Sequence, residues 1–283
     1  MLHQSTLRRF IRHIIHADQW KMKRKSVTEI ASENARKFSK SYVAAFKVDP
    51  QGRPYHAGTI TGIDLGHQMI LVSARHVFEK DQGNESDEDD VIYVFHHGKL
   101  VLLDRSIAGA LPLPDGSLLD LYVFVPESFD PAGIVPEPIP LSAVSFDGLK
   151  ETQYLAACGF PQSRNKIRGK ELTNRPYGYF GKVASAQATA ANGYDPVFHF
   201  GIEINLKKTY RGGLKMGIAA NPQGISGGPV FLVHDFEADK VIDCKLSGIV
   251  IARSWNSKSL ICIHSSIIVE MALALFPPPD DIN

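Results

Sequence analysis

After residue 40 the chain reads as a series of short apolar runs broken by turn residues. "SYVAAFKVD" is strand-like, "PQGR" is a turn, and "YHAGTITGIDLGHQMILVSARHVF" continues as two further strands. The same texture recurs in "VIYVFHH", "KLVLLD", "LDLYVFV", "TQYLAACGF", "VFHFGIEI", "GPVFLV", "KLSGIVIA" and "LICIH", many of them separated by Gly, Pro, Asn or Asp. Evenly spaced strands of this kind predict an all-β fold, as antiparallel barrels or a sandwich. "PEPIP", 136–140, falls between two β-rich halves and reads as the connection between them. Helical periodicity is confined to the two ends. "SSIIVEMALALF" predicts a helix over about 266–276, stopped by Pro277, Pro278 and Pro279. Near the N-terminus Leu7, Phe10, Ile11, Ile14 and Ile15 recur at helical spacing, with Arg8, Arg9 and Arg12 between them. That is an amphipathic basic helix. Its apolar stripe suits either the body of the protein or a regulatory protein partner or membrane surface. The expected organisation is an N-terminal helix and linker over 1–36 and a β domain over 37–283.

Charge and composition narrow the partners. With 31 basic against 30 acidic residues there is no basic surplus, which argues against nucleic acid. No apolar run approaches the roughly 20 residues of a transmembrane segment. The N-terminus offers neither a continuous apolar stretch nor a small-residue cleavage site, so no secretory leader is expected. Cys158, Cys244 and Cys262 are an odd, sparse set in apolar surroundings. They read as buried small hydrophobes in a reducing, cytoplasmic compartment. The acidic run "EKDQGNESDEDD", 79–90, lacks calcium-loop spacing and reads as a solvated loop. His96 and His97 are adjacent rather than four apart, so no metal site and no cofactor is expected.

One stretch asks for chemistry. "NPQGISGGPVFLV", 221–233, crowds three glycines and two prolines around Ser226. Small neighbours let the backbone approach a substrate closely. A serine hydroxyl is a weak nucleophile and needs a base, an acid that orients the base, and N–H groups aimed at the developing oxyanion. His76 ends an apolar strand in "LVSARHVF", and Asp120 opens another in "LDLYVFV". Asp104 ends a strand and Asp115 sits in a turn, so neither opens a strand as Asp120 does. The order is His76, Asp120, Ser226.

"GTITGI…LVSARHVF", "LDLYVFV", "GISGGPV" and "LSGIVIA" together resemble the chymotrypsin-type (trypsin-like) serine peptidases, nearest the bacterial trypsin-like and high-temperature-requirement branch. The likeness spans roughly residues 40–268. It implies two six-stranded antiparallel barrels, about 40–140 and about 150–268, flanked by the N-terminal and C-terminal helices. It also implies roles. Ser226 attacks the peptide carbonyl, His76 takes and returns the proton, and Asp120 holds the imidazole tautomer. The N–H groups of Gly224 and Ser226 form the oxyanion hole. Ala220, Ile251, Ala252 and Arg253 border the substrate side chain and backbone, with "SGIVIAR" pairing the substrate as an added strand.

Two departures qualify that picture. Ile225 stands where the secreted digestive enzymes carry an aspartate that pairs with a new N-terminus, so activation by N-terminal trimming is not implied. Ala220 stands where trypsin carries its specificity aspartate, so no preference for Lys or Arg before the cut is implied. A neutral pocket lined by Ala220, Ile251 and Ala252 suits apolar side chains. Arg253 and His264 would instead draw acidic ones. Two function classes follow: an intracellular, partner-regulated serine endopeptidase acting on protein or peptide substrates, or a peptide-binding scaffold on the same fold.

Overall fold

The computed structural model describes residues 38–79, 91–96, 99–103, 107–109, 111–113, 116–126, 131–168, 171–173, 175–206, 209–211, 214–217, 219–235, 244–255 and 257–279. The N-terminal helix expected over 1–18 and residues 80–90 of the acidic run lie outside them.

Numbered along the chain, β1 (Tyr42–Val48), β2 (Pro54–Asp64), β3 (Met69–Ser73), β4 (Ile92–His96), β5 (Lys99–Leu103), β6 (Ile107–Gly109), β7 (Tyr122–Val125) and β8 (Ile139–Pro140) form the first sheet. Its order is β5-β4-β1-β2-β3-β7-β6, antiparallel throughout, with β8 added parallel to β2. Two short hairpins follow, β10 (Lys166–Arg168) with β11 (Glu171–Thr173) and β14 (Thr209–Arg211) with β15 (Leu214–Gly217). The remaining strands are β9 (Gln153–Gly159), β12 (Tyr177–Val183), β13 (His199–Ile204), β16 (Pro229–Asp235), β17 (Lys245–Ser254) and β18 (Ser259–His264). They close into a barrel in the order β12-β13-β18-β17-β16-β9. The second unit is thus the six-stranded barrel expected. Among the described residues the first is an open, half-barrel sheet. "PEPIP" does more than connect, because Ile139 and Pro140 pair with Ile63 and Asp64.

The strand patterns explain the layers. β12 alternates exposed and buried residues over Tyr179–Val183 and presents one face to the core. β17 is buried continuously from Leu246 to Ile251, which is why its sequence is an unbroken apolar run. One core cluster fills the first sheet with Phe46, Ile60, Leu71 and Phe124, then extends across to Phe231, Ile249 and Ile263 of the barrel. A second, built on Leu155, Ile202, Val230 and Leu260, fills the barrel interior. Phe38 stacks on Phe231 at 4.7 Å between ring centroids, tying the start of the described chain to the barrel.

Three helices complete the described structure: α1 (Pro131–Ile134), α2 (Ala186–Ala191) and α3 (Ser265–Leu275). The sequence reading lacked α2. Ser185 caps it by accepting from the Ala188 N–H at 3.1 Å, and Gly193 at φ +83° follows its end. α3 matches the C-terminal helix expected over about 266–276, beginning directly after His264. It packs on β17 and β18 and also reaches β7. The Leu275 side chain would lie 2.7 Å from a Cβ placed at Gly109 of β6, and Phe276 O contacts His67 Nε2 at 3.0 Å. Among the described residues no helix is long and apolar enough to cross a membrane. Cys158, Cys244 and Cys262 are buried, and none is in a disulfide among the described residues.

Candidate active site

Strand pairing brings His76 and Asp120 together. β3 and β7 run antiparallel with Ser73 opposite Tyr122. Past Ser73 the chain turns through a single 3₁₀ turn, Arg75–Val77, and Asp120 lies two residues before β7 begins. The ends of the paired strands therefore deliver both side chains to one place. Asp120 is not within the apolar strand but just ahead of it, where a polar residue need not be fully buried. Phe78 stacks on Tyr122 at 4.9 Å and meets Phe124 edge-on at 5.2 Å, pinning the turn to β7.

Asp120 holds His76 twice. Oδ1 accepts the His76 backbone N–H at 3.0 Å, and Oδ2 lies 2.8 Å from Nδ1. A carboxylate accepts only, so Nδ1 carries the proton and donates. Burial pushes the Asp120 carboxyl pKa up, but the bonds and charge of His76, with Arg75 beside it, outweigh that and hold it below the usual range. Tyr194 and His199, their rings 5.2 Å apart, both lie within reach of the Asp120 charge. Burial, then the Asp120 charge, raises the Tyr194 phenol.

Ser226 sits in a tight loop bonded to both sheets. Its carbonyl accepts the Thr59 N–H at 2.8 Å, and the Gly227 carbonyl accepts Thr61 Oγ1–H at 2.8 Å, both from β2. Gly227 N–H donates to Val250 O at 2.7 Å, and Val250 N–H to Gly228 O at 2.9 Å, on β17. Glycine is required at 227. Its φ is +87°, and a Cβ there would lie 1.9 Å from Thr59 O and 2.2 Å from Ser73 Oγ. Gly224 has φ +92° and packs against the His56 ring, whose Nδ1 would lie 2.7 Å from a Cβ at 224. Ile225 is 1% exposed in the barrel core, with no setting for a charge.

Close approaches at Gly58 and Gly227 join the two halves of the site. A Cβ on Gly58 would meet Val77, next to His76, at 2.6 Å and Ser226 O at 3.0 Å. Ser73, three residues before His76, abuts Gly227. The Ser226 hydroxyl itself points elsewhere, donating to Ile251 O at 3.4 Å. Among the described residues no hydrogen bond joins it to His76, and the N–H groups of Gly224 and Ser226 have no acceptor.

Of the expected substrate-binding residues, Ala220 accepts the Tyr179 hydroxyl at its carbonyl, 3.2 Å away. Ile251 is buried, and Ala252 and Arg253 are half-buried along β17. Arg253 Nη1 donates to Asn221 Oδ1 at 2.9 Å, and its guanidinium carbon lies 3.5 Å from the Trp255 ring centroid. His264 packs on Phe200 at 4.9 Å between ring centroids and bonds the backbone around Pro196 and His199.

No family model matches the chain, and no curated protein matches its sequence. Solved structures do match. Protease Anisep from Arthrobacter nicotinovorans aligns over 83% of this chain and 95% of its own, at TM-score 0.50 and 13% identity. A serine endoprotease from Yersinia pestis aligns over 87% of this chain and 66% of its own, at 0.50 and 11%. A structure named GrC aligns over 83% and 93%, at 0.50 and 12%. The chain has the chymotrypsin fold. At such identities the likeness is one of fold, and the chemistry rests on the site itself.

Within the chymotrypsin fold of this chain, three residues near the serine escaped the sequence reading: His56, Asn221 and Trp255. His56 is 6% exposed, and among the described residues neither ring nitrogen has a hydrogen-bonding partner of good geometry. It lines a cavity of about 470 Å³ with Gln162, Asn221 and Gln223. Asn221 adjoins Ala220 in the sequence, but nothing in the pattern aims its side chain at Arg253.

Proposed function

We propose that the chain is a serine endopeptidase with Ser226 as nucleophile, His76 as general base and acid, and Asp120 as the residue that orients it. The observation that carries this reading is the double hold of Asp120 on His76. An imidazole donating from Nδ1 keeps its lone pair on Nε2, the form that can accept the serine proton. In a free enzyme the serine–histidine contact is often loose and tightens with substrate. The reaction requires the Ser226 hydroxyl to turn from Ile251 O toward Nε2. Its oxygen then bonds the peptide carbonyl carbon while Nε2 takes the proton. The carbonyl oxygen gains negative charge and is met by the unspent N–H groups of Gly224 and Ser226. Collapse breaks the C–N bond, the amine leaves with the proton from His76, and water releases the acyl group by the same steps. β16 pairs with β17 only as far as Ile249, so the substrate backbone would pair along Ile251–Arg253.

With Ile225 buried beside the nucleophile, no new N-terminus is needed to form an ion pair there, and an N-terminal tag should leave hydrolysis intact. Regulation falls to a partner engaging the basic segment 1–18, inside the cell.

A second reading has one observation in its favour. Ser226 bonds Ile251 O rather than His76, as in a peptide-binding protein with its chemistry at rest. Labelling by a fluorophosphonate separates the two. An endopeptidase reacts at Ser226, and Ser226→Ala abolishes both label and cleavage. Asp120→Asn, which presents an N–H₂ to Nδ1 and favours the wrong tautomer, lowers turnover about 10⁴-fold. Near wild-type cleavage by Ser226→Ala refutes the endopeptidase reading.

A further inference from the structure

The segments 221–226 and 250–253 run side by side from the serine. At one end Ser226 Oγ meets Ile251 O, and at the other Asn221 Oδ1 meets Arg253 Nη1. The side-chain-selecting end of the cleft is therefore held by a cation rather than by Ala220 alone.

The state of that cation is informative. One face of the guanidinium is stacked on Trp255. Its Nε is shielded from solvent and has no acceptor among the described residues. Among the described residues no carboxylate pairs with it. A guanidinium with a shielded Nε–H that lacks an acceptor attracts an anion more strongly than a fully solvated one. Nη2 adds two donors in the plane of the fork. Asn221 adds more, because its Oδ1 is occupied by Arg253 and by the Gln223 N–H, leaving Nδ2 to donate. A guanidinium edge beside an amide N–H₂ is a carboxylate-binding set.

We propose that Arg253 and Asn221 form a carboxylate clamp that selects substrates with an acidic side chain immediately before the scissile bond. The proposal rests on the endopeptidase reading above. It places acidic ahead of the apolar side chains that Ala220 alone suggests, and it needs one inward cation, since His264 belongs to the cluster at Phe200 and His199. An apolar side chain in this cleft would leave the guanidinium unpaired, and Lys or Arg would face a like charge.

The test uses the full chain and fluorogenic peptides identical except for Glu, Asp, Gln, Leu or Lys before the cut. Fluorophosphonate titration first counts reactive Ser226. The ratio of kcat/KM for Glu over Gln or Leu is then read, because a ratio does not depend on the fraction of folded protein. A charge-assisted bond predicts a ratio of about tenfold or more, collapsing toward unity in Arg253→Gln and reduced in Asn221→Ala. Arg253→Glu should shift preference toward Lys. A Leu or Lys preference in the wild type, or a Glu preference that survives Arg253→Gln, overturns the clamp while leaving the endopeptidase reading in place. If Ser226 takes no label and nothing is cleaved, that reading fails, and binding decides the clamp separately. Ser226→Ala protein is titrated with the Glu and Gln peptides, following quenching of Trp255. Tighter binding of Glu that disappears in the Arg253→Gln double variant upholds the clamp, and equal affinity overturns it.

Discussion

His56 is held neutral by its surroundings. It is packed against Gly224 and meets Phe46 edge-on at 5.5 Å. Burial lowers its pKa to about 4, and the nearby Gly58 backbone offsets this only in part. In the unfolded chain the same ring takes its proton near pH 6.5. Below that pH the unfolded state binds more protons than the folded one. Stability from this residue is full above pH 6.5, declines as pH falls toward 4, and is lost below it. The shift corresponds to about 3 kcal/mol. Denaturant unfolding of Ser226→Ala protein, chosen to prevent self-digestion, should therefore lose about 2–3 kcal/mol more between pH 7.5 and 4.5 than Ser226→Ala/His56→Leu does. Equal losses would show that His56 reaches water or a partner as the pH falls. Because the ring packs on Gly224, acid should also loosen the loop whose N–H is proposed to meet the substrate.

At the scale of elements, the serine loop depends on how closely β2 approaches it. Gly227→Ala places a methyl on the Thr59 carbonyl and also strains a backbone at φ +87°. Gly52→Ala carries similar strain, at φ +75°, with nothing within 4 Å of the new Cβ. The pair separates clash from strain. Gly52→Ala should cost about 1 kcal/mol, whereas Gly227→Ala should cost more than about 3 kcal/mol and lower the Tm by roughly 10 °C. Comparable thermal melts for the two would show that the loop can step away from Thr59. The same strands explain what the sequence made legible. His76 and Asp120 stand out because each interrupts an apolar run at its end, and antiparallel pairing of such runs brings their ends together. Ser226 stands out by its glycines, whose need for close approach is local. The Arg253–Asn221 contact was not legible. Register shifts in β17 between Val250 and Ala252, and a one-residue slip changes which side chain faces the cleft. α2 was missed because a six-residue helix of mostly alanine has no apolar stripe to read.

At the scale of the molecule, the site is shared between two sheets. His76 and Asp120 belong to the first, and Ser226 belongs to the barrel. What fixes their distance is therefore everything that fixes one sheet against the other: the Thr59 and Thr61 bonds, the common core around Phe231 and Ile249, and α3. That helix is continuous with β18 of the barrel, yet its far end rests on β6 and on the chain at His67. It acts as a lashing between two hulls, tied at Gly109, which pairs with Val123 of the strand that follows Asp120. Alignment and folding should then fail separately. A protein ending at residue 264 would keep every strand of both sheets, so its far-ultraviolet circular dichroism would retain the β signal. Its rate of fluorophosphonate labelling should fall about tenfold or more, since an ångström of misplacement can cost far more than that in rate. Labelling at the full rate by the shortened protein would mean that the β2 bonds to the serine loop alone hold the alignment. If the lashing holds, a ligand or substitution that lifts Leu275 from Gly109 would slow labelling at Ser226 while touching neither Ser226 nor His76.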